Sequence, residues 1–134
     1  MRTSGAAPAA KILVVDDEAD FTATYERLLR RRGYGVVSAG SRGAGLAALA
    51  GGGLSLVIAD LRLPDGDGLD LVRAARAGAR PVPVIVVTGF ASEASRQASL
   101  AAGASAYLAK PFSTPAFVAL VEKTLGATSP GDGA

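Results

Sequence analysis

The chain has 134 residues with no cysteine and no histidine, and its 14 basic and 12 acidic residues leave a net charge of +2. These counts exclude disulfides, thiolate or histidine metal sites, phosphohistidine on this chain and any histidine-activated nucleophile, and so small a charge does not argue for nucleic acid as a partner. With 49% hydrophobic and 5% aromatic residues, one domain with an aliphatic core is expected; no apolar run approaches the ~20 residues of a membrane span and no signal-peptide core opens the chain, so the default location is cytoplasmic.

Residues 1–10 read as a flexible tail, being rich in Ala and small polar residues. A first strand is predicted in KILVV, 11–15, followed at once by Asp16, Asp17 and Glu18. Phe21, Tyr25, Leu28, Leu29 and Arg32 then keep helical spacing, with Gly33 at the expected stop. Arg27, Arg30, Arg31 and Arg32 near that stop read as a solvated helix end complementing the helix dipole. A weaker strand is predicted in YGVVSA, 34–39. Ser41 can cap a second helix carrying Leu46 and Leu49, closed by the glycines at 51–53.

The third strand, LSLVIA at 54–59, runs into Asp60. The DGDG at 65–68 resembles part of a calcium loop but lacks its later glutamate, and reads as a loop with Asp67 near a helix start. Leu69 and Val72 begin the third helix, ending near Gly78. The fourth strand, VPVIVV at 82–87, leads to Thr88. Ser92 can cap a fourth helix with Gly103 after it; its apolar face is mostly alanine, so it should be the least firmly docked. The short strand AYLA, 106–109, leads to Lys110. Phe112 and Phe117 are expected in the core. Phe117, Leu120, Val121 and Leu125 mark the fifth helix, with Gly126 as its stop. The remainder, 127–134, reads as a tail or linker remnant, leaving 11–126 as the folded domain.

Five strands alternating with five helices predict an α/β fold, a parallel sheet with right-handed crossovers and helices on both faces. The continuous apolar runs suit strands covered on both sides. In such sheets, sites form beyond the carboxyl ends of the strands. Asp16 and Asp17, Asp60, Thr88 and Lys110 stand at the ends of four of the five. The second strand ends without an ionisable group, and lies at an edge if the order is 2-1-3-4-5, as in flavodoxin-like sheets. Three converging carboxylates call for a cation, and Mg²⁺ suits oxygen ligands beside a phosphate. Asp60 is the natural nucleophile for an acyl phosphate, with Asp16 and Asp17 on the metal side and Thr88 and Lys110 stabilising phosphoryl oxygens.

The pieces ILVVDDE, LVIADLRLPDGDGLDLV, VIVVTGF and AYLAKPF occur in this order over residues 11–126. Together they resemble the receiver domain of two-component response regulators. That resemblance implies Asp60 as phosphoacceptor. It implies Mg²⁺ on Asp17, Asp60 and the backbone carbonyl of Arg62, with Asp16 acting through water. It implies phosphoryl contacts from Lys110 and Thr88, a switch in which Tyr107 moves with Thr88, and a cis bond before Pro111. Arg62 and Phe90 would flank the phosphoryl group and modulate its hydrolysis. Neither orients a water well, so a long-lived phosphorylated form is expected.

The chain lacks histidine, so the donor would be a sensor histidine kinase or a phosphotransfer protein. The output would be a downstream protein or output domain reading the surface of helix four, strand five and helix five. No direct contact with nucleic acid or membrane is expected, and the resemblance leaves room for a phosphorylation-dependent dimer. Such a chain is a signalling receiver that catalyses only its own phosphorylation and dephosphorylation. Two other functional classes compete with this one. A Mg²⁺-dependent phosphatase would need an Asp where Arg62 stands. A phosphorylation-independent interaction module would not need the complete set of site residues.

Overall fold

The three apolar runs that end at Val15, Ala59 and Thr88 become the centre of a sheet, because each is too short for a buried helix and apolar on both faces. In the computed structural model, which describes residues 10–127, they form β1 (Lys11–Val15), β3 (Leu56–Ala59) and β6 (Val84–Thr88). Every residue of these strands is buried except Lys11. β2 (Gly35–Ala39) and β7 (Ala106–Ala109) complete the sheet at its edges and are partly exposed. The order is β2-β1-β3-β6-β7, all parallel. Counting main-sheet strands alone this is 2-1-3-4-5, the flavodoxin-like order predicted. The predicted tails lie outside the described residues, apart from Ala10 and Ala127.

Successive strand residues face opposite sides, so the sheet feeds two cores. Ile12, Val14, Ile58, Ile85 and Val87 pack with Tyr25, Leu29, Phe117 and Val121, which come from α1 (Ala19–Arg31) and α5 (Thr114–Ala127). Leu13, Val15, Val57, Val84 and Val86 pack with Leu71, Val72 and Ala75, from α3 (Leu69–Ala77), alongside α2 (Arg42–Ala50) and α4 (Glu93–Ala102). Burying each such aliphatic side chain contributes ~1.5–3 kcal/mol. Ser99 is the one fully buried residue of α4, in keeping with its alanine face. A reciprocal capping box between Ser92 and Ser95 starts that helix, and Gly103, at φ +114°, ends it in the left-handed conformation that glycine adopts without a Cβ penalty. Ser41 caps α2 through the Ala44 N–H.

Two local expectations need correction. The segment after Asp60 is not a plain loop: β4 (Arg62–Leu63) and β5 (Gly66–Asp67) pair as a two-residue antiparallel hairpin. α5 does not stop at Gly126 but includes it. A glycine weakens a helix by ~1 kcal/mol relative to alanine and ends it only by leaving helical dihedrals, and Gly126 is not among the positive-φ glycines. The arginines at the end of α1 are exposed, with Arg30 and Arg31 in its last turn as expected; in addition Arg32, just past α1, pairs with Glu122 of α5 at 3.2 Å, and Arg30 donates to the Val36 carbonyl at 3.3 Å.

The hairpin is clamped to α2. Both Asp65 carboxylate oxygens accept backbone N–H groups at the start of α2, from Arg42 at 2.6 Å and Gly43 at 2.8 Å. The Arg42 side chain returns to the Asp65 carbonyl at 3.4 Å and to Asp70 at 3.3 Å. The N–H groups of Gly43 and Arg42 hold the Asp65 carboxyl below its ordinary value of 3.8. A depressed carboxylate contributes stability that is complete above its ordinary pKa and is lost as pH falls through the depressed one. Asp65→Ala should therefore lower the thermal midpoint at about pH 7, and the gap to wild type should close at about pH 2, as measured by circular-dichroism melts of both proteins.

Candidate functional site

The backbone ladder carries past the strand ends and fixes where the polar residues emerge. The Asp16 N–H donates to the Ala39 carbonyl at 3.1 Å, that of Asp60 to Val15 at 3.0 Å, and that of Lys110 to Thr88 at 2.9 Å. Asp16, Asp60 and Lys110 are therefore held in register on one rim, Asp16 and Asp60 being 4% and 6% exposed. Exposed Asp17 joins them. One carboxylate oxygen from each of Asp16, Asp17 and Asp60 lies within 4.8 Å of the others. The close run of the backbone behind the site is enforced at Gly68, where a Cβ would stand 2.0 Å from the Asp60 carbonyl oxygen.

Lys110 closes the cluster. Its ammonium lies 2.8 Å from Asp16 Oδ2, 2.9 Å from Asp60 Oδ2 and 2.8 Å from Glu18 Oε1. It also sits 4.1 Å above the centre of the Phe21 ring, a favourable cation–π placement. An ammonium has three donors, and three carboxylates surround this one. The sequence reading named Glu18 only as the third acid after the first strand and Phe21 only as a residue at helical spacing, and gave neither a place in the site. The third acid of DDE and the aromatic one helical turn onward were the available signals. Asp16 Oδ1 accepts the Glu18 N–H at 2.9 Å, and Asp60 Oδ1 accepts that of Arg62 at 3.3 Å. Burial raises the Asp16 pKa against the pull of Lys110 and the Glu18 N–H. Burial alone would depress Lys110, but Asp16, Glu18 and Asp60 outweigh it and push its pKa up. The ammonium thus stays charged among the acids.

Thr88 is fully buried, and its hydroxyl accepts the Phe90 N–H at 3.1 Å. Tyr107 pairs in register with Val86, and Ala109 with Thr88, on adjacent strands. The Tyr107 hydroxyl is taken up by the α4 cap: it accepts the Ser92 N–H at 3.3 Å and shares a hydrogen bond with Ser95 Oγ. The Lys110–Pro111 bond is cis. The Arg62 guanidinium stacks on Phe90, 3.7 Å from the ring centre, which joins the two positions that follow Asp60 and Thr88. Phe90 is nevertheless 59% exposed. Both border an open cleft of about 440 Å³ shared with Asp17, Glu18, Asp60, Leu63 and Pro64.

The donor set is all oxygen, with no imidazole or thiolate anywhere in the chain. Three crowded carboxylates of this kind fit a hard divalent cation. An aspartate carboxylate beside such a charge and a lysine ammonium can act as a nucleophile toward phosphorus.

A family model described as the response regulator receiver domain matches residues 12–122. The transcriptional regulatory protein PrrA of Mycobacterium tuberculosis is 37% identical over 115 residues, which are 86% of this chain and 49% of that protein. The chain spans about half the length of the curated relatives it matches. A CheY-like response regulator receiver domain protein from Methanospirillum hungatei superposes with a TM-score of 0.84 at 33% identity, covering 89% of this chain and 95% of that one. A Burkholderia pseudomallei response regulator, solved with a phosphorylated aspartic acid, calcium ion and citrate, gives a TM-score of 0.78 at 30% identity. It covers 88% of this chain and 69% of that one.

Removing the cation from a buried charge cluster costs more than the pair was worth, since the partners are left uncompensated. Lys110→Met should therefore destabilise the fold by ~3 kcal/mol or more in chemical denaturation. Adding Asp16→Asn to it should recover part of that loss, whereas Asp16→Asn in the wild-type background should not stabilise comparably.

Proposed function

This chain belongs to the response regulator receiver domain family, and on that premise we propose that it accepts a phosphoryl group on Asp60 from a partner and signals by the change that follows. The observation that carries the proposal is the meeting of Asp16, Asp17, Asp60 and Lys110 at one rim of the sheet. The transfer breaks the N–P bond of a phosphohistidine and forms a P–O bond to an Asp60 carboxylate oxygen, the departing imidazole nitrogen keeping the bonding pair. The partner is a sensor histidine kinase or phosphotransfer protein, since this chain has no histidine of its own.

Asp17 and Asp60, with the Arg62 carbonyl, would hold Mg²⁺ directly, and Asp16 through water. When bound, the ion supplies positive charge against the transferring phosphoryl oxygens. Lys110 binds one phosphoryl oxygen. Thr88 exchanges its hydrogen bond with the Phe90 N–H for another. The B. pseudomallei relative, with its phosphorylated aspartic acid and calcium ion, supports this chemistry on the fold.

Tyr107 then leaves the α4 cap as Thr88 moves, and the α4–β7–α5 surface becomes the output face. The thin packing of α4 favours a small shift in a pre-existing equilibrium there. The reader is a downstream protein or an output domain, and a phosphorylation-dependent dimer is one form it could take. The domain from β1 to α5 acts as the receiver, in the cytoplasm. Among the described residues no helix is long and apolar enough to cross a membrane.

Incubation with a small acyl phosphate and Mg²⁺ should add one phosphoryl mass to the wild type and none to Asp60→Ala. Failure of the wild type to gain mass, or to bind beryllofluoride, would favour a phosphorylation-independent interaction module. We further expect the phosphorylated form to be long-lived, because neither Arg62 nor Phe90 is a good group for orienting an attacking water. Arg62→Asn and Phe90→Ala should each change the dephosphorylation rate followed by mass; unchanged rates in both would remove that role.

A further inference from the structure

Two buried side-chain polar atoms lack a hydrogen-bond partner among the described residues: Asp16 Oδ2 and the Tyr25 hydroxyl. Their coincidence is not explained by packing. Tyr25 is fully buried in an aromatic cluster under the site, its ring centre 6.3 Å from Phe21, 5.8 Å from Phe112 and 5.3 Å from Phe117. A phenylalanine would fill that place equally well. An orphaned buried hydroxyl costs ~1–3 kcal/mol, and such groups are rare enough to call for a reason. Burial pushes the Tyr25 pKa up, and so do the nearby charges of Asp16, Asp60 and Glu18. The phenol is thus a neutral donor facing acceptors.

We infer that Tyr25 is a positioning residue of the acid site, its hydroxyl donating to Asp16 Oδ2 directly or through one bridging water. Lys110 lies 2.8 Å from that oxygen but out of hydrogen-bond alignment, so its charge attracts Asp16 without filling the lone pair that Tyr25 can take. The geometry gives the hydroxyl a task. Lys110 donates to Glu18 and Asp60 and holds Asp16 by charge alone, so any turn of the ammonium toward a phosphoryl oxygen weakens the one attraction that orients Asp16. Tyr25 keeps Asp16 oriented and satisfied when Lys110 shifts. A partner of this kind behind a metal-side carboxylate fixes the orientation that the ion meets.

The inference rests on reading Asp16 as part of a cation site, and the test separates the two. Mg²⁺ alone is titrated into wild type, Tyr25→Phe, Asp16→Asn and the double variant, with binding followed by NMR shifts and folding by thermal melts. Tyr25→Phe should weaken Mg²⁺ binding about tenfold with the thermal midpoint unchanged or raised. In the Asp16→Asn background the same change should have no further effect. Wild-type affinity in Tyr25→Phe overturns the inference while leaving the cation site standing. An equal loss with and without Asp16 overturns it too, since the hydroxyl would then not act through Asp16. No Mg²⁺ binding by the wild type overturns both.

Discussion

One ammonium makes the rest of this molecule tenable. The parallel sheet delivers Asp16 and Asp60 to the same rim with almost no exposure, and Asp17 and Glu18 crowd in beside them. Four carboxylates that close would repel each other and the fold that gathers them. Lys110, carried in from the far edge strand, places one positive charge within 2.9 Å of three of them. Burial works against the charges of Asp16 and Lys110, yet the lysine is held charged because its acidic neighbours outweigh that penalty. The arrangement is compensated rather than relaxed. Asp17 has no part in the Lys110 contacts, so a divalent cation has both room and reason to bind on that side.

The scaffold around the cluster divides into a firm half and a looser half. On the Lys110 side, the aromatic stack of Phe21, Tyr25, Phe112 and Phe117 fills the space between α1 and α5, and the Arg32–Glu122 pair joins the same two helices. On the hairpin side, Asp65 ties the segment after Asp60 to the start of α2, and Gly68 lets that segment pass against the Asp60 carbonyl. α4 differs: it buries one residue fully, and much of its anchoring near the site is polar, through the Ser92–Ser95 cap and the Tyr107 hydroxyl. Hydrogen bonds exchange partners with less penalty than a packed aliphatic face. The element joined to the site by a tyrosine and two serines is therefore the one suited to move.

The two positions flanking the site are occupied by residues that satisfy each other. Arg62 and Phe90 could each have faced solvent alone, but they stack at 3.7 Å beside the cleft above Asp60. That pairing links the loop after β3 to the loop after β6, so the two segments nearest Asp60 are not independent.

Much of this was legible in one dimension. Apolar runs of strand length alternating with helical spacings determine a parallel α/β sheet, because only a strand covered on both faces is apolar throughout. The rule that sites gather beyond strand ends then singles out Asp16, Asp17, Asp60, Thr88 and Lys110 from residue types alone. Ser41, Ser92 and Gly103 announced helix ends by local chemistry, which needs no partner distant in the chain. What the tertiary structure alone decided depends on contacts between residues far apart in sequence. Glu18 reaches Lys110 across 92 positions, Asp65 caps a helix 22 and 23 positions before it, and Arg32 meets Glu122 across 90 positions at the surface. No periodicity encodes such meetings. The same is true of Tyr25, whose spacing marks it only as a core residue: that its hydroxyl lies unpartnered beneath the acid cluster emerges when α1 is laid against the sheet.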